Sequence, residues 1–325
     1  MKFATYDNKT PYGALQLVSQ DGNRVVDATD IVSSLFDATQ NWQQYEAALH
    51  ARYILLNQNK IQSQPIELSR CIAPLPRTTQ FCDASAFGNH ADLMSQAFGV
   101  KAQAIANQPL MYQGASDIFY GPYQDFKLID SQHGLDVEGE FAIVIDAVEM
   151  GTKAEQAGQS ILLLVQLNDW SLRELGPAEM KSGFGFLNAK PSSSLAPFAI
   201  TPDELGESWK NGRIALDLYV ECNQQLIGHP NGGFMDFSFG ELIEHACRTR
   251  DLTAGTLIGS GTISNKTHEI VGSSCLAEVR VREILRTGKV QTAYLDVGNE
   301  IFMEARAEDG STPFGAIRQK IISAK

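Results

Sequence analysis

Two glutamates stand two residues apart in the apolar run LDVEGEFAIVI, Glu138 and Glu140 with only Gly139 between them. In an extended chain that spacing puts both carboxylates on one face. Two like charges on a mostly buried strand repel, and each is costly to desolvate. A shared cation would remove both penalties. So would a strand end that simply lies in water, and the pair alone leaves both readings open. Asp169 closes the apolar run ILLLVQLN and so falls at the mouth of a second buried strand, although an aspartate in a strand-end turn is also ordinary. Asp83 and His90, in CDASAFGNHADL, offer an acid and a base in a turn-rich segment, where Asp near Gly-Asn is equally common loop chemistry. Converging carboxylates make an oxygen-only donor set. Such a set suits Mg²⁺, Ca²⁺ or Mn²⁺ rather than Zn²⁺, because it needs no Cys or His ligand.

Other routes to catalysis lack their signatures. There is no GxSxG elbow, no GxxxxGK[ST] loop and no HExxH helix, and Gly259–Gly261 is too short for a dinucleotide fingerprint. No Cys–His arrangement suggests covalent catalysis. Glu241 and His245, four apart, read as an exposed ion pair on a helix rather than as ligands. His133, His229 and His268 read as loop residues.

The elements that must position these residues are mostly strands. KFATY, ALQLVS and NRVVDAT are short strands parted by turn residues. A helix is expected from about Ala38 to Leu56, with Trp42, Tyr45, Leu49, Tyr53 and Leu56 on one core-facing side. A polar stretch containing Pro65, Pro74 and Pro76 then reads as a linker, so residues 1–75 form a small N-terminal module and residues 76–325 the main domain. In the latter, FKLID, EGEFAIVIDAVEM, SILLLVQLND, RIALDLYVECN, GTLIGSGTIS and LAEVRVREIL all read as strands. Short helices are expected near Lys153–Gly158 and from Ser238, where Ser-Phe-Gly-Glu makes a capping box. The fold class is therefore mainly β with minor α.

Composition narrows the partners. The 325-residue chain is 43% hydrophobic and 20% charged, and its 26 basic and 38 acidic residues give a formal charge of −12. No basic stripe interrupts that balance, which argues against nucleic acid or an anionic membrane. An acidic protein that takes an anionic substrate needs a local positive centre, which a bound cation supplies. The five scattered cysteines have no CxxC spacing and argue against a disulfide framework or zinc knuckle. The first residues have no apolar core of signal-peptide length, and Ile161 to Leu167 is too short to cross a bilayer. A cytoplasmic location is expected.

Taken in order, these segments resemble the fumarylacetoacetate hydrolase family from about Arg77 to Arg282. The family pattern reads here as Asp83 with His90 seven residues on, Glu138-Gly139-Glu140, Asn168-Asp169-Trp170-Ser171-Leu172-Arg173, Lys190, Gly261-Thr262-Ile263-Ser264 and Glu278. The Asn-Asp-Trp-Ser-x-Arg run after Glu-x-Glu is its most specific part. The resemblance implies an SH3-like N-terminal module plus a mixed β-roll domain, usually dimeric. It implies that Asp83, Glu138, Glu140 and Asp169 hold a divalent cation (Mg²⁺, Ca²⁺ or Mn²⁺), with Lys190 close by. His90 would be the base that activates water, oriented by Glu278, with Lys190 or Arg173 stabilising an oxyanion. The substrate implied is a dicarbonyl acid. Members of the family cut, decarboxylate or isomerise such acids, so hydrolysis of a fumarylacetoacetate-like 1,3-diketone acid stands beside decarboxylation or tautomerisation of a 2-oxo diacid.

The substrate shell departs from the family pattern. Ser85 stands where a Tyr is expected, and Gly176 and Met180 replace a Gln and a Tyr. No arginine lies between Arg77 and Arg173, which leaves Lys101 to meet a substrate carboxylate as a point charge. Tyr112 matches a substrate-contacting Tyr, and Ser85 and Thr262, the latter in the Gly-Thr-Ile-Ser turn, are expected to contact substrate with it.

Overall fold

The computed structural model describes residues 1–98 and 107–324. The chain is mainly β, with a small N-terminal module joined to a β-roll domain of mixed sheets. One eleven-stranded sheet runs through both. Its order begins at Gln64–Pro65 and passes through Arg24–Asp27, Ala14–Val18, Lys2–Tyr6 and Ala199–Ile200. It continues through Ile161–Asn168, Gly139–Ile145, Thr256–Gly259, Gln80–Ser85 and Leu110–Gly114, with the eleventh strand, Ser194–Leu195, pairing Ile161–Asn168 off this path. A five-stranded sheet that includes Asp217–Cys222, Glu300–Arg306 and Ala316–Ser323 packs beside it.

The two central strands explain why their sequences are continuously apolar. Every residue of Gly139–Ile145 and of Ile161–Asn168 is buried. Alternate side chains enter different cores. Phe141, Ile143 and Ile145 join the core shared with the five-stranded sheet. Ala142 and Val144 join the core built with the N-terminal module around Phe3, Leu17, Leu49 and Leu56. The N-terminal helix is divided at Asn41 into Leu35–Gln40 and Trp42–Asn57, and its expected inner face is kept, with Trp42, Leu49, Tyr53 and Leu56 buried.

Three expectations fail locally. LAEVRVREIL is not a strand but the start of a helix, Leu276–Thr287. Its alternating valines fit either period over so short a run, whereas Leu, Ala, Glu and Arg favour helix and Gly288, at φ 76°, ends it. The turn-rich segment after Asp83 contains the helix Gly88–Phe98. Its start is held by Asp236, whose carboxylate accepts the Gly88 N–H at 2.6 Å, a remote anchor that local sequence does not announce. RIALDLYVECN is interrupted, giving Arg213–Ile214 and Asp217–Cys222.

The capping box at Ser238 is present. Glu241 is used within it, and His245 contacts Arg248 through Nδ1 at 3.1 Å, so the expected Glu241–His245 ion pair does not form. All five cysteines are free and buried. Among the described residues no helix is long and apolar enough to cross a membrane.

Candidate metal centre and base pair

Sheet register assembles the site. The parallel pair Thr256–Gly259 and Gln80–Ser85 sets Gly259 opposite Asp83, and the antiparallel neighbour sets Gly259 opposite Ala142, two residues beyond Glu140. On the far side Leu167 lies opposite Glu140, with Asp169 just past the strand end. Asp83, Glu140 and Asp169 are all buried, and each offers an oxygen within 4.8 Å of the others. Asp83 Oδ1 is oriented by the Gly261 N–H at 3.3 Å, and Asp169 Oδ1 by the Ser193 hydroxyl at 2.7 Å.

Glu140 is the telling member. It is fully buried, and neither carboxylate oxygen has a hydrogen-bond donor among the described residues. Burial, reinforced by the charges of Asp83 and Asp169, pushes its carboxyl well above the usual range. Burial and Asp169 likewise push Asp83 up to about 8. A buried carboxylate without partners costs several kcal/mol, and the cost vanishes if a cation or a proton is supplied. The residues present therefore fit a hard divalent ion: three convergent carboxylates, all-oxygen donors, and one of them otherwise unsatisfied.

Glu138 does not join that cluster. Its carboxylate meets Arg173 at 2.7 Å and also pairs with Lys190. Burial works against its ionisation, but the Arg173 and Lys190 charges prevail and hold its carboxyl below the usual range. Lys190 reaches Asp169 at 2.5 Å as well. Burial opposes the Lys190 charge, yet Asp169 and Glu138 keep its ammonium protonated beyond the usual lysine range. Arg173 also forks onto Asp136, with Nε and a terminal nitrogen both 2.9 Å from Oδ2. It is thus a mostly buried partner of two carboxylates, not a surface ion pair.

His90 and Glu278 meet from two helices. His90 lies in the first turn of Gly88–Phe98, and Glu278 in the first turn of Leu276–Thr287. His90 Nδ1 is 2.7 Å from Glu278 Oε1, and Glu278 is fully buried. With Glu278 as the acceptor, the proton of this hydrogen bond belongs to Nδ1, the tautomer in which Nε2 can act as a base. The start of the His90 helix is tied to the turn after Gly261, since Asn89 donates to Ser264 Oγ at 2.8 Å and to the Asn265 carbonyl at 3.0 Å.

The remaining expected contacts are distributed less simply. Tyr112 donates its hydroxyl to Asp169 Oδ2 at 2.6 Å, so here it orients a carboxylate. Ser85 ends its strand half-buried, and Thr262 is buried between Gly261 and Ile263, whose N–H bonds the Gly139 carbonyl. Lys101 lies outside the described residues. Ser193 and Asp136 were not singled out by the sequence. For Asp136 a signal existed, because Asp136, Glu138 and Glu140 continue one alternation of acids.

Comparison with known proteins agrees with this architecture. The family described as fumarylacetoacetate (FAA) hydrolase C-terminal matches residues 79–322, and fumarylacetoacetase N-terminal domain 2 matches residues 1–77. The chain belongs to the fumarylacetoacetate hydrolase family, whose enzymes are hydrolases and isomerases. No curated protein matches it significantly by sequence. Among solved structures it is similar to an HpcE-like protein from Mycobacterium smegmatis, at 19% identity, TM-score 0.70 and full coverage of both chains. It is also similar to maleylpyruvate hydrolase from Sphingobium sp. SYK-6, solved with manganese(II) and pyruvate, at 15% identity, TM-score 0.67 and full coverage of both. A third is 5-carboxymethyl-2-hydroxymuconate delta-isomerase from Mycobacterium smegmatis, at 15% identity and TM-score 0.63, again over both whole chains. At these identities the likeness speaks for the fold.

Proposed function

We propose that this enzyme is a divalent-metal-dependent hydrolase that cleaves a carbon–carbon bond in a 1,3-diketone acid, with fumarylacetoacetate as the first substrate to test. The observation that carries the reading is the His90–Glu278 hydrogen bond together with the Asp83–Glu140–Asp169 cluster, with His90 near enough to Glu138 to act on its charge. Decarboxylation or tautomerisation needs no water-activating base, whereas hydrolysis does. A manganese- and pyruvate-bound maleylpyruvate hydrolase of the same fold is consistent with a hydrolytic, metal-assisted reaction on an oxo acid.

Asp83, Glu140 and Asp169 would hold the ion. When bound, it would supply Lewis-acid polarisation of the substrate carbonyls. The protein's own groups account for the proton movements. His90 Nε2 takes a proton from water while Glu278 holds Nδ1–H and stabilises the imidazolium. The water oxygen bonds to the carbonyl carbon, which becomes the new carboxylic acid and loses its remaining hydroxyl proton to solvent. The bond to the neighbouring carbon breaks, its electron pair leaves with that carbon, and His90 returns the proton there. Lys190 is the cation nearer to developing negative charge, because it pairs directly with Asp169 of the cluster, whereas Arg173 pairs with Asp136 and Glu138, which lie outside it.

The test is incubation with Mg²⁺ or Mn²⁺ and fumarylacetoacetate, maleylpyruvate or oxaloacetate, with product analysis. Equimolar fumarate and acetoacetate, lost in His90→Ala, supports the reading. Carbon dioxide release or enol loss that survives His90→Ala but not Glu140→Gln would replace it with decarboxylation or tautomerisation.

A further inference from the structure

We propose that Asp136 is a positioning residue that sets the His90–Glu278 base pair in register with the carboxylate cluster, a role that rests on the hydrolytic reading above. Asp136 is fully buried, and its hydrogen bonds and ion pair go to Arg173, Leu276 and Ala277. Its Oδ1 accepts the Leu276 N–H at 2.7 Å, and its Oδ2 accepts the Ala277 N–H at 2.9 Å. Those are the first two residues of the helix whose third residue is Glu278. The first N–H groups of a helix have no partner within it, and a carboxylate placed there also complements the helix dipole. The only cap from the adjoining chain among the described residues is Cys275, whose sulfur accepts the Glu278 N–H at 3.5 Å, and a thiol is a weak acceptor.

The same carboxylate receives Arg173, which passes on to Glu138. Glu138 shares Lys190 with Asp169, one of the three clustered carboxylates. Backbone pairing fixes the origin of this chain of contacts, since Asp136 lies opposite Ser171 in a two-stranded ladder next to Arg173. One side chain thus ties the helix start that carries Glu278 to the ion pairs reaching Asp169. Loss of either link lets Glu278 and His90 drift relative to the bound substrate, which slows the proton transfer more than it weakens binding.

Asp136→Asn keeps the shape but presents an amide donor to groups that are themselves donors. In the Mn²⁺-loaded enzyme the expected result is a kcat about 10- to 100-fold lower, as is usual when an outer partner of a metal site is removed. KM and Mn²⁺ affinity change by no more than about threefold, against that much larger fall in kcat. Combined with Glu278→Gln, the loss is much less than the product of the two single losses. Leu49→Ala, in the N-terminal core, serves as a control for stability alone. With ¹⁵N-labelled histidine, the protonated Nδ1 signal assigned by its absence in His90→Ala is present in the wild type and lost or shifted in Asp136→Asn. A kcat loss that only follows melting temperature, as in Leu49→Ala, and multiplies with Glu278→Gln would overturn the proposal. So would an unchanged His90 signal. If the wild type turns over no dicarbonyl acid, the hydrolytic reading fails, and the histidine spectrum still decides the positioning role.

Discussion

Gly259 leaves the space that Asp83 fills. A methyl group added at 259 would overlap Asp83 Oδ1 and stand 3.2 Å from Glu140 Oε2. The strand pairing that puts these two residues opposite each other is therefore compatible with the carboxylate cluster only when residue 259 has no side chain.

Gly259→Ala should accordingly leave the fold standing while displacing Asp83. The expected outcome is Mn²⁺ affinity about 10-fold or more weaker, measured by calorimetry, with the circular dichroism spectrum unchanged. Native affinity in this variant would mean that Asp83 is not a ligand.

Tyr112 was expected to contact substrate, yet its hydroxyl lies on Asp169. Tyr112→Phe should weaken Mn²⁺ binding about 10-fold if the hydroxyl orients the carboxylate. A rise in KM with unchanged Mn²⁺ affinity would return Tyr112 to the substrate. Titration of the wild type and Tyr112→Phe with Mn²⁺, followed by steady-state kinetics, separates the two.

Glu283 gives a pH prediction away from the site. Burial raises its carboxyl, but the Thr292 hydroxyl and the Gln291 and Thr292 N–H groups prevail and hold it below its ordinary value of 4.5. A depressed folded-state value means the carboxylate stabilises the native state above the unfolded pKa. That contribution fades as pH falls through 4.5 toward the folded value. The melting-temperature gap between wild type and Glu283→Gln should be constant from pH 7 to about 5 and close below about 4. A gap independent of pH would show that the hydrogen bonds do not favour the ionised form.

Much of the site could be read from the sequence because its parts lie at strand ends, where period two and apolar runs are visible. Glu140 lies in one wholly buried strand and Asp169 just past the end of another, and both fall where those patterns put them. Glu138 shared that pattern but went to Arg173 and Lys190, since alternation gives a face and not a partner. The helix carrying Glu278 reads as a strand because its short apolar run fits two periods. The start of the His90 helix depends on Asp236, which is 148 residues away from Gly88. Asp136 shares the alternation of acids, but its partners are the Leu276 and Ala277 N–H groups, on residues that only the fold brings near.

Glu140→Gln tests the electrostatics of the cluster without any substrate. Replacing a buried, unpartnered carboxylate by a neutral isostere should raise the ion-free melting temperature, with a gain of about 1–3 kcal/mol. It should also abolish the further rise that Mn²⁺ produces in the wild type. A fall in the ion-free melting temperature would mean that Glu140 is satisfied as it stands.

The most direct measurement is calorimetric titration of Mn²⁺ into the ion-free wild type, Asp83→Asn and Glu140→Gln. Three carboxylates acting as ligands predict one ion per chain in the wild type, and binding weakened at least about 100-fold in both variants. A wild type that binds no ion, or variants that bind it as well as the wild type, would contradict the metal centre and the metal-dependent hydrolysis built on it.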